Sequence, residues 1–367
     1  MNGLCYCTNV HPAEDVAGVL GQLDAYAVPV RERLGRDALG LGLWLAAEAA
    51  AELAADPAAL RRLRRELDAR GLSVLTLNAF PYGGFHRKVV KHAVYRPDWT
   101  DPARARYTAD CAHVLAGLLP DDAGSGSLST LPLGWRSPWS AADDEAARSA
   151  LRWTAGALRE ASARAGRPLR LAVEPEPGCV LDTVADAVRW LAPRVDAEVV
   201  GLCLDTAHLA VSFAEPEEAV ASVERAGLSV VKIQASAALH VDDPRDPRAR
   251  RLLAAYAEPR YLHQVRERTA DGRVLAADDL PEALDRLPGL GPWRVHFHVP
   301  LHSAPAGPLR ATTDVLRRAV AAVRDRPVVE VETYTWQVLP RAADPVAGIA
   351  AELRWAENEL PLQEGAA

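Results

Sequence analysis

Apolar and polar positions along the chain fall into two patterns that follow each other in a repeating order. Residues 57–71 form a helical stripe in which Leu60, Leu63 and Leu67 lie on one face. An aspartate-proline pair begins this stripe and a glycine ends it, as is typical of a helix. The apolar run 72–80 follows at once and predicts a strand. Helix followed by strand is therefore the predicted repeating unit.

The same unit recurs along the whole chain. Ser140 and Asp143 form a predicted capping box that begins a helix over 140–166, and the strand 169–173 follows it. This alternation predicts parallel strands joined by right-handed crossovers, closed into a (β/α)8 TIM barrel that forms one domain over residues 1–367. Further helices are predicted at 183–191, 216–226 and 312–323, and the other strands at 4–8, 39–45, 128–133, 199–205, 230–234, 296–299 and 328–332.

The pattern gives nine candidate strands for the eight places of a barrel. Either 230–234 or 296–299 is displaced, or an earlier strand is wrong. Between these two candidates lies a stretch rich in Asp, Arg and Pro, at about 240–292, with a hairpin predicted around Asp271-Gly272. We interpret it as an insertion near the seventh strand. A doubly wound open sheet is the alternative, which the absence of a Gly-x-Gly-x-x-Gly motif after any strand disfavours.

Polar residues stand at the carboxyl ends of the predicted strands. In a parallel barrel these ends share one face, so the side chains converge although they are far apart in sequence. Buried carboxylates aimed at one point repel one another, and a divalent cation removes that cost. We predict one divalent metal, Mn²⁺, Mg²⁺, Co²⁺ or Zn²⁺, because the mixed donors do not separate these ions. The predicted ligands are Glu174, Asp205, His298 and Glu332, with the carbonyl oxygen of Gln234 as a candidate fifth.

Each candidate residue also has a purely structural interpretation. Glu176 is either a substrate-binding residue or a solvated loop acid, since a proline and a glycine follow it. Asp205 and His208 also fit a helix N-cap and a first-turn residue. His296 and His298 also fit buried histidines of a core or an interface. The recurrence of these residues in order, each after an apolar run, favours one shared site.

The composition of the chain disfavours several classes of protein. The formal net charge of −7 argues against a broad basic surface for nucleic acid. Five scattered cysteines favour reduced, buried thiols in a cytoplasmic protein, and Cys5-x-Cys7 lacks the second ligand pair of a zinc cluster. No secretory signal pattern is visible, and the apolar stretch 39–55 is too short for a bilayer. We expect no direct membrane insertion. The sequence leaves open whether the protein forms a homo-oligomer.

Four segments resemble the metal motifs of the xylose isomerase-like TIM-barrel superfamily, in particular its ketose 3-epimerase and inosose-handling branches. The resemblance implies that Glu174 and Glu332 bind the metal and also act as the acid/base pair, and that His208 contacts the substrate. It leaves open whether His298 or Gln234 fills the usual histidine position, with His240 and His302 as further alternatives. The segments are Val-Glu-Pro at 173–175, Leu-Asp-Thr-Ala-His at 204–208, His-Phe-His at 296–298 and Val-Glu-Thr-Tyr at 331–334.

Five further segments are spread nearly from end to end of the chain. They are Tyr-Cys-Thr-Asn-Val-His-Pro-Ala-Glu at 6–14, Tyr-Arg-Pro-Asp-Trp-Thr at 95–100, Ser-Thr-Leu-Pro-Leu-Gly at 129–134, Lys-Ile-Gln-Ala-Ser at 232–236 and Glu-Thr-Tyr-Thr-Trp at 332–336. These segments resemble the EboE-type metabolite traffic proteins. This second resemblance implies an Ebo-type metabolite pathway and a cyclitol or other polyol as the small-molecule substrate.

These features together predict a metal-dependent isomerase or epimerase that acts on a sugar, cyclitol or related polyhydroxy carbonyl compound through an enediolate. Hydroxyl groups of the substrate would bind Asn78 and His11 from the first barrel loops, and Trp336 would cover a sugar-like ring. The main alternative is a non-catalytic protein that binds a metabolite on the same barrel and hands it on. A metal-dependent hydrolase or nuclease would need more His and Asp at the strand ends.

Overall fold

The structure, a computed structural model, describes residues 3–362 and contains thirteen strands within them. Eight of the strands close into a barrel in the order β1-β13-β7-β6-β5-β4-β3-β2, and every neighbouring pair is parallel. The predicted (β/α)8 barrel is therefore confirmed. In chain order the strands are β1 Leu4–Cys7, β2 Leu39–Trp44, β3 Leu72–Asn78, β4 Gly126–Thr130, β5 Leu169–Val173, β6 Val200–Asp205, β7 Val230–Ala235, β8 Leu239–Val241, β9 Val265–Arg268, β10 Val274–Ala277, β11 Trp293–Val295, β12 Arg310–Ala311 and β13 Val328–Val331.

Helices alternate with the barrel strands, and the two helix starts that the sequence predicts at Asp56 and Ser140 are confirmed. The capping box of Ser140 and Asp143 is present, and Asp56 accepts a hydrogen bond at the start of the helix with the leucine stripe. The helices are α1 Val16–Gln22, α2 Val28–Leu34, α3 Ala47–Ala55, α4 Pro57–Ala69, α5 Pro102–Leu118, α6 Ala141–Ala165, α7 Val184–Leu191, α8 Thr206–Val211, α9 Pro216–Arg225, α10 Pro247–Ala254, α11 Leu280–Arg286, α12 Thr313–Ala322 and α13 Pro345–Glu359.

A second sheet is built by the chain between β7 and β13. Its five strands are antiparallel in the order β10-β9-β11-β8-β12, and α10 and α11 accompany them. The predicted insertion at 240–292 falls within this region, but the sheet continues to Ala311. The hairpin predicted at Asp271-Gly272 is confirmed, because β9 and β10 pair across it and Gly272 adopts φ +84°.

The predicted strand 296–299 is wrong, and it accounts for the ninth candidate. The strand in this region is β11, which ends at Val295 and pairs with β8 and β9 rather than with the barrel. The alternation that suggested a strand has another cause: Phe297 and Val299 pack in the hydrophobic core, while the histidines between and beside them face polar groups. In an extended loop, as in a strand, successive side chains point to opposite sides, so both produce the same alternation of apolar and polar residues.

The barrel interior contains a fully buried ion pair below the strand ends. Nζ of Lys232 lies 2.7 Å from Oε2 of Glu330 and donates to Oγ of Ser129 at 3.0 Å. All five cysteines are free and buried, in agreement with reduced thiols. Within residues 3–362, none of the helices has the length and apolar character needed to cross a bilayer.

Candidate active site and metal centre

The structure brings the four predicted principal ligands together at the carboxyl ends of the barrel strands. Glu174 follows β5, Asp205 ends β6, and Glu332 follows β13, as the barrel geometry requires. His298 arrives from the segment after β11, outside the barrel. All four side chains are buried, and donor atoms of Asp205, His298 and Glu332 lie within 4.8 Å of one another.

Three donor atoms in this cluster are buried without a hydrogen-bond partner in the described part of the chain: Oε2 of Glu174, Oδ2 of Asp205 and Nε2 of His298. Buried polar atoms are normally paired, so a group of orphaned acceptors indicates that a cation belongs there. Two carboxylate oxygens and one imidazole nitrogen are donors that fit a divalent metal. The residues present therefore fit the predicted ion.

The remaining atoms of these side chains are used to orient them. Oδ1 of Asp205 accepts from the backbone N–H of His208 at 2.8 Å and from Oγ of Ser236 at 2.9 Å. Asp205 is thus both the N-cap of α8 and a free acceptor through its other oxygen. Nδ1 of His298 donates to the backbone carbonyl of Glu332 at 2.9 Å, which leaves Nε2 as the unprotonated nitrogen.

Glu332 is held by three amide donors. Its Oε1 accepts from Nδ2 of Asn9 at 2.7 Å and from Nδ2 of Asn78 at 3.1 Å, and its Oε2 accepts from Nε2 of Gln234 at 2.6 Å. The carbonyl oxygen of Gln234 instead accepts from Sγ of Cys203 at 2.7 Å. This is a correction to the predicted fifth ligand, because Gln234 turns its donor to Glu332 and its oxygen away from the orphaned atoms.

Burial sets the protonation of the cluster. The pKa of Glu174 is raised well above its usual value by burial and then by the nearby carboxylates of Glu332 and Asp205. Burial, and then repulsion from Asp205 and Glu330, raises the pKa of Glu332 well above its usual value. Burial lowers the pKa of His298 to about 4, so its imidazole is neutral at pH 7 and can act as a ligand. A bound cation would lower the pKa of both glutamates from these raised values.

His208 and His296 form a second histidine pair beside the cluster. Their Nε2 atoms lie 3.0 Å apart, Nδ1 of His208 lies 3.0 Å from the carbonyl oxygen of Pro175, and Nδ1 of His296 lies 2.6 Å from Oε1 of Gln264. Donor atoms of His208 also group with those of Glu174 and Asp205. Nδ1 of each ring faces an oxygen that can only accept, so in neutral rings both Nδ1 atoms donate and the two facing Nε2 atoms carry no proton. His298 is our candidate fourth ligand because its orphaned Nε2 groups with donor atoms of Asp205 and Glu332.

Glu176 is buried, so its interpretation as a solvated loop acid is wrong. Its Oε1 accepts from the hydroxyl of Tyr95 at 2.6 Å and from Nε2 of Gln264 at 3.2 Å. Gln264 lies in the second sheet region, and no sequence pattern points to it. Tyr95 is visible in the sequence only as part of a motif, and His296 only as a neighbour of His298 with two possible roles.

One cleft joins these residues, with an empty volume of about 530 Å³ that is partly open to solvent. Its polar lining includes the predicted residues Asn78, Glu176 and His208 and also His296. The full set of lining residues is Asn9, Asn78, Phe80, Pro81, Phe85, Val90, Lys91, Val94, Glu174, Glu176, His208, Tyr261, Leu262, His296, His298, Glu332 and Tyr334.

Two residues predicted to bind substrate, His11 and Trp336, do not line this cleft. His11 is buried against Tyr26, with ring centroids 4.1 Å apart, and its Nε2 lies 3.2 Å from the hydroxyl of Tyr6. Nε1 of Trp336 donates to Oε2 of Glu352 at 3.2 Å. Both aromatic side chains follow strand ends, but they pack outward against helices instead of into the cleft.

The two alternative histidine ligands also lie apart from the cluster. His240 Nε2 lies 2.9 Å from Oδ1 of Asp242 in the second sheet, and the ring of His302 is stacked on Trp336 with centroids 6.3 Å apart. Neither residue contributes to the groups of candidate metal donors in the described chain. Of the three histidines that the sequence left open, only His298 has a donor atom in a group of candidate metal donors in the described chain.

Solved structures with a similar fold include a xylose isomerase-like TIM barrel protein from Mycobacterium smegmatis in complex with magnesium, at 15% identity and a TM-score of 0.53, with 97% of each chain covered. A 3-keto-D-glucoside 4-epimerase from E. coli matches at 15% identity and a TM-score of 0.48, covering 98% of this chain and 100% of that one. A D-psicose 3-epimerase matches at 16% identity and a TM-score of 0.47, covering 97% and 96%.

At these identities the likeness to solved structures shows the fold alone. No curated protein matches the chain. The family model described as xylose isomerase-like TIM barrel matches residues 32–287, which is more than half of the chain. The protein therefore belongs to the xylose isomerase-like TIM barrel family.

Proposed function

We propose that the protein is a metal-dependent isomerase or epimerase of a polyhydroxy carbonyl compound, such as a sugar or cyclitol. The observation that carries the proposal is the pair of buried glutamates, Glu174 and Glu332, in one cleft. Each of them shares a group of donor atoms within 4.8 Å with Asp205, and both line the same cavity. Two carboxyl groups beside one cation site are the parts needed to take a proton from one carbon and return it.

Glu174, Asp205, His298 and Glu332 would hold the divalent cation, which when bound polarises a carbonyl group and the neighbouring hydroxyl and lowers the cost of removing the proton between them. The two glutamates differ in their surroundings. Three amide donors favour the ionised form of Glu332, whereas Oε2 of Glu174 has no donor. We assign Glu332 as the initial base and Glu174 as the group that returns a proton to the enediolate.

Hydroxyl groups of the substrate would find partners on the polar side of the cleft. Oδ1 of Asn9 is buried and has no partner among the described residues, so it is available as an acceptor. Asn78, His208 and Glu176 line the same cleft and offer further polar atoms. These residues would orient the polyol so that its reacting carbon atoms lie at the two glutamates.

The place of this reaction in a cytoplasmic Ebo-type metabolite pathway, with a cyclitol as the substrate, is part of the proposal. Its support is the motif resemblance over nearly the whole chain and the reduced state of the five cysteines. A non-catalytic metabolite carrier on the same barrel would keep the cleft but would not need a pair of glutamates with different proton affinities.

The test is solvent deuterium incorporation into a panel of ketoses and cyclitol ketones by the Mn²⁺-loaded protein, together with elemental analysis of bound metal. Wild-type protein should incorporate deuterium next to the carbonyl of at least one compound. Replacing Glu174 or Glu332 by Gln should slow the exchange about 100- to 10,000-fold, the range for loss of a general acid or base.

Glu198→Gln is the matched control, because Glu198 is exposed and outside the cleft. This variant should leave both the deuterium incorporation and the metal content unchanged. Full exchange and full metal content in Glu332→Gln would remove Glu332 from the mechanism. Bound metal without exchange into any compound of the panel by wild-type protein would favour the carrier.

A further inference from the structure

The cleft has two chemically different linings. The polar lining, described above, comes mainly from the strand ends of the barrel. The other lining, which we call the apolar wall, consists of Phe80, Pro81, Phe85, Val90, Val94 and Leu262. These side chains come from the segment after β3 and from the segment before β9, so neither part of the wall is a barrel strand.

The polar groups around the apolar wall are already paired within the protein. The backbone N–H groups of Val90 and Lys91 donate to the carbonyl oxygen of Arg260 at 2.8 Å and 2.9 Å. The hydroxyl of Tyr261 donates to the carbonyl oxygen of Phe85 at 3.2 Å, and Nζ of Lys91 forms an ion pair with Asp279. These contacts tie the two segments of the wall together, and each of the groups named already has one partner within the protein.

The side chains of the apolar wall offer no hydrogen-bond partner to a substrate hydroxyl group. Hydroxyl groups turned toward the apolar wall would lose their hydrogen bonds to water and gain none, which disfavours binding. An apolar group in the same position would gain free energy in proportion to the area it buries. Phe85, Val90 and Val94 of the wall pack into the cluster of Trp44, Tyr261 and Tyr334. Phe80 and Leu262 pack into the main hydrophobic core, so several side chains and not a single one form the wall.

We infer that the substrate is a polyhydroxy carbonyl compound with an apolar substituent, an alkyl or aryl group, at the end that lies away from the glutamates. This inference rests on the proposed function for the polyhydroxy carbonyl part and on the apolar wall for the substituent. A wall that served only to exclude water from the reaction would show no dependence on such a substituent.

The test compares the binding of methyl and hexyl β-D-glucopyranoside by isothermal titration calorimetry. The two probes share one polyol group and differ by five methylenes, and they are measured with Mn²⁺-loaded and metal-free protein. A buried methylene strengthens binding about fourfold, so burial of half the chain should make the hexyl compound bind more than tenfold tighter. The preference should persist without metal, because the wall contains no metal ligand.

Adjacent valines provide matched variants. Val90 and Val94 line the cleft, whereas Val89 is 56% exposed and does not line it. The double variant Val90→Thr/Val94→Thr keeps the side-chain shapes, adds two hydroxyl groups to the wall, and should lose most of the preference for the hexyl compound. Val89→Thr should keep it.

Equal binding of the two glucosides, no detectable binding of the hexyl compound, or a preference that survives in the double variant would each overturn the inference. Deuterium exchange into alkyl-free ketones is measured in parallel. Exchange without a hexyl preference would leave the proposed function standing and remove the apolar substituent. A hexyl preference without exchange would leave the apolar substituent standing and remove the proposed function.

Discussion

Nε2 of His298 lies 3.8 Å from Oδ2 of Asp205, and neither atom has a hydrogen-bond partner within the described residues. The neutral imidazole cannot donate from this nitrogen, since its proton is on Nδ1 and is bonded to the carbonyl of Glu332. Two acceptors that face each other in a buried site are stable only with a cation between them or with an added proton.

The first prediction follows from this pair. Asp205→Asn or His298→Gln should weaken Mn²⁺ binding at least about 100-fold, since loss of even an outer partner of a metal ligand costs about 10- to 100-fold. Calorimetric titration measures the effect, and circular dichroism checks the fold. His240→Gln is the control because His240 is bonded to Asp242 in the second sheet. A loss of similar size in the control would contradict this ligand set.

Gln234 distinguishes a ligand from an orienting residue. If Gln234 were a ligand through its oxygen, Gln234→Glu would keep or strengthen metal binding. In the structure its amide donates to Glu332, so the substitution removes a donor and places two carboxyl groups together. We expect metal binding about tenfold weaker in this variant. Unchanged or tighter binding of Mn²⁺ in the same titration would restore Gln234 as the fifth ligand.

Replacing only one residue of the buried ion pair below the site should lower the stability of the protein. Lys232→Met leaves Glu330 charged and unpaired in the barrel interior, which should lower the free energy of unfolding by about 3–5 kcal/mol. Lys232→Met/Glu330→Met should recover most of that loss because no uncompensated charge remains. Urea denaturation measures the free energy of unfolding of both variants. A double variant as unstable as the single one would show that packing, and not charge, sets the cost.

Glu352 on α13 predicts a pH dependence of stability. It accepts from the N–H of Leu301 at 3.0 Å, the hydroxyl of Thr333 at 2.6 Å and the indole of Trp336, and burial raises its pKa from 4.5 to about 7. The folded state therefore holds a proton between pH 4.5 and 7 that the unfolded state has lost. The contribution of protonated Glu352 to stability is therefore complete below pH 4.5 and is lost as the pH rises toward 7.

Glu352→Gln mimics the protonated side chain and cannot titrate, so it isolates this contribution. The stability difference between the two proteins should shift in favour of the variant by a few kcal/mol as the pH rises from 5 to 8. Denaturant unfolding at a series of pH values measures this shift. A difference that stays constant over the range would show that the pKa of Glu352 is not raised in the folded protein.

The barrel could be predicted because its strands and helices alternate regularly, differ in the period of their apolar residues and are bounded by local signals such as the capping box of Ser140 and Asp143. The order of polar residues at strand ends then placed Glu174, Asp205 and Glu332 at one face without any knowledge of contacts. The ninth strand could not be eliminated, because 296–299 alternates as a strand does and only tertiary pairing shows that it lies outside the barrel.

The failures at the site concern side-chain direction. His11 and Trp336 follow strand ends, yet packing against Tyr26 and α13 turns them out of the cleft. Gln234 does point inward, but its donor meets Glu332 before its oxygen can meet a cation. Gln264 belongs to the second sheet region, whose position over the barrel no local pattern reveals. Sequence position gives the end of a strand, and only the packed neighbours decide where its side chain points.

Anomalous diffraction from crystals of the Mn²⁺-loaded protein tests the metal centre directly. We predict one anomalous peak per chain in contact with Oε2 of Glu174, Oδ2 of Asp205, Nε2 of His298 and the carboxylate of Glu332. A peak between His208 and His296 instead, or no peak at this cluster under saturating Mn²⁺, would contradict it.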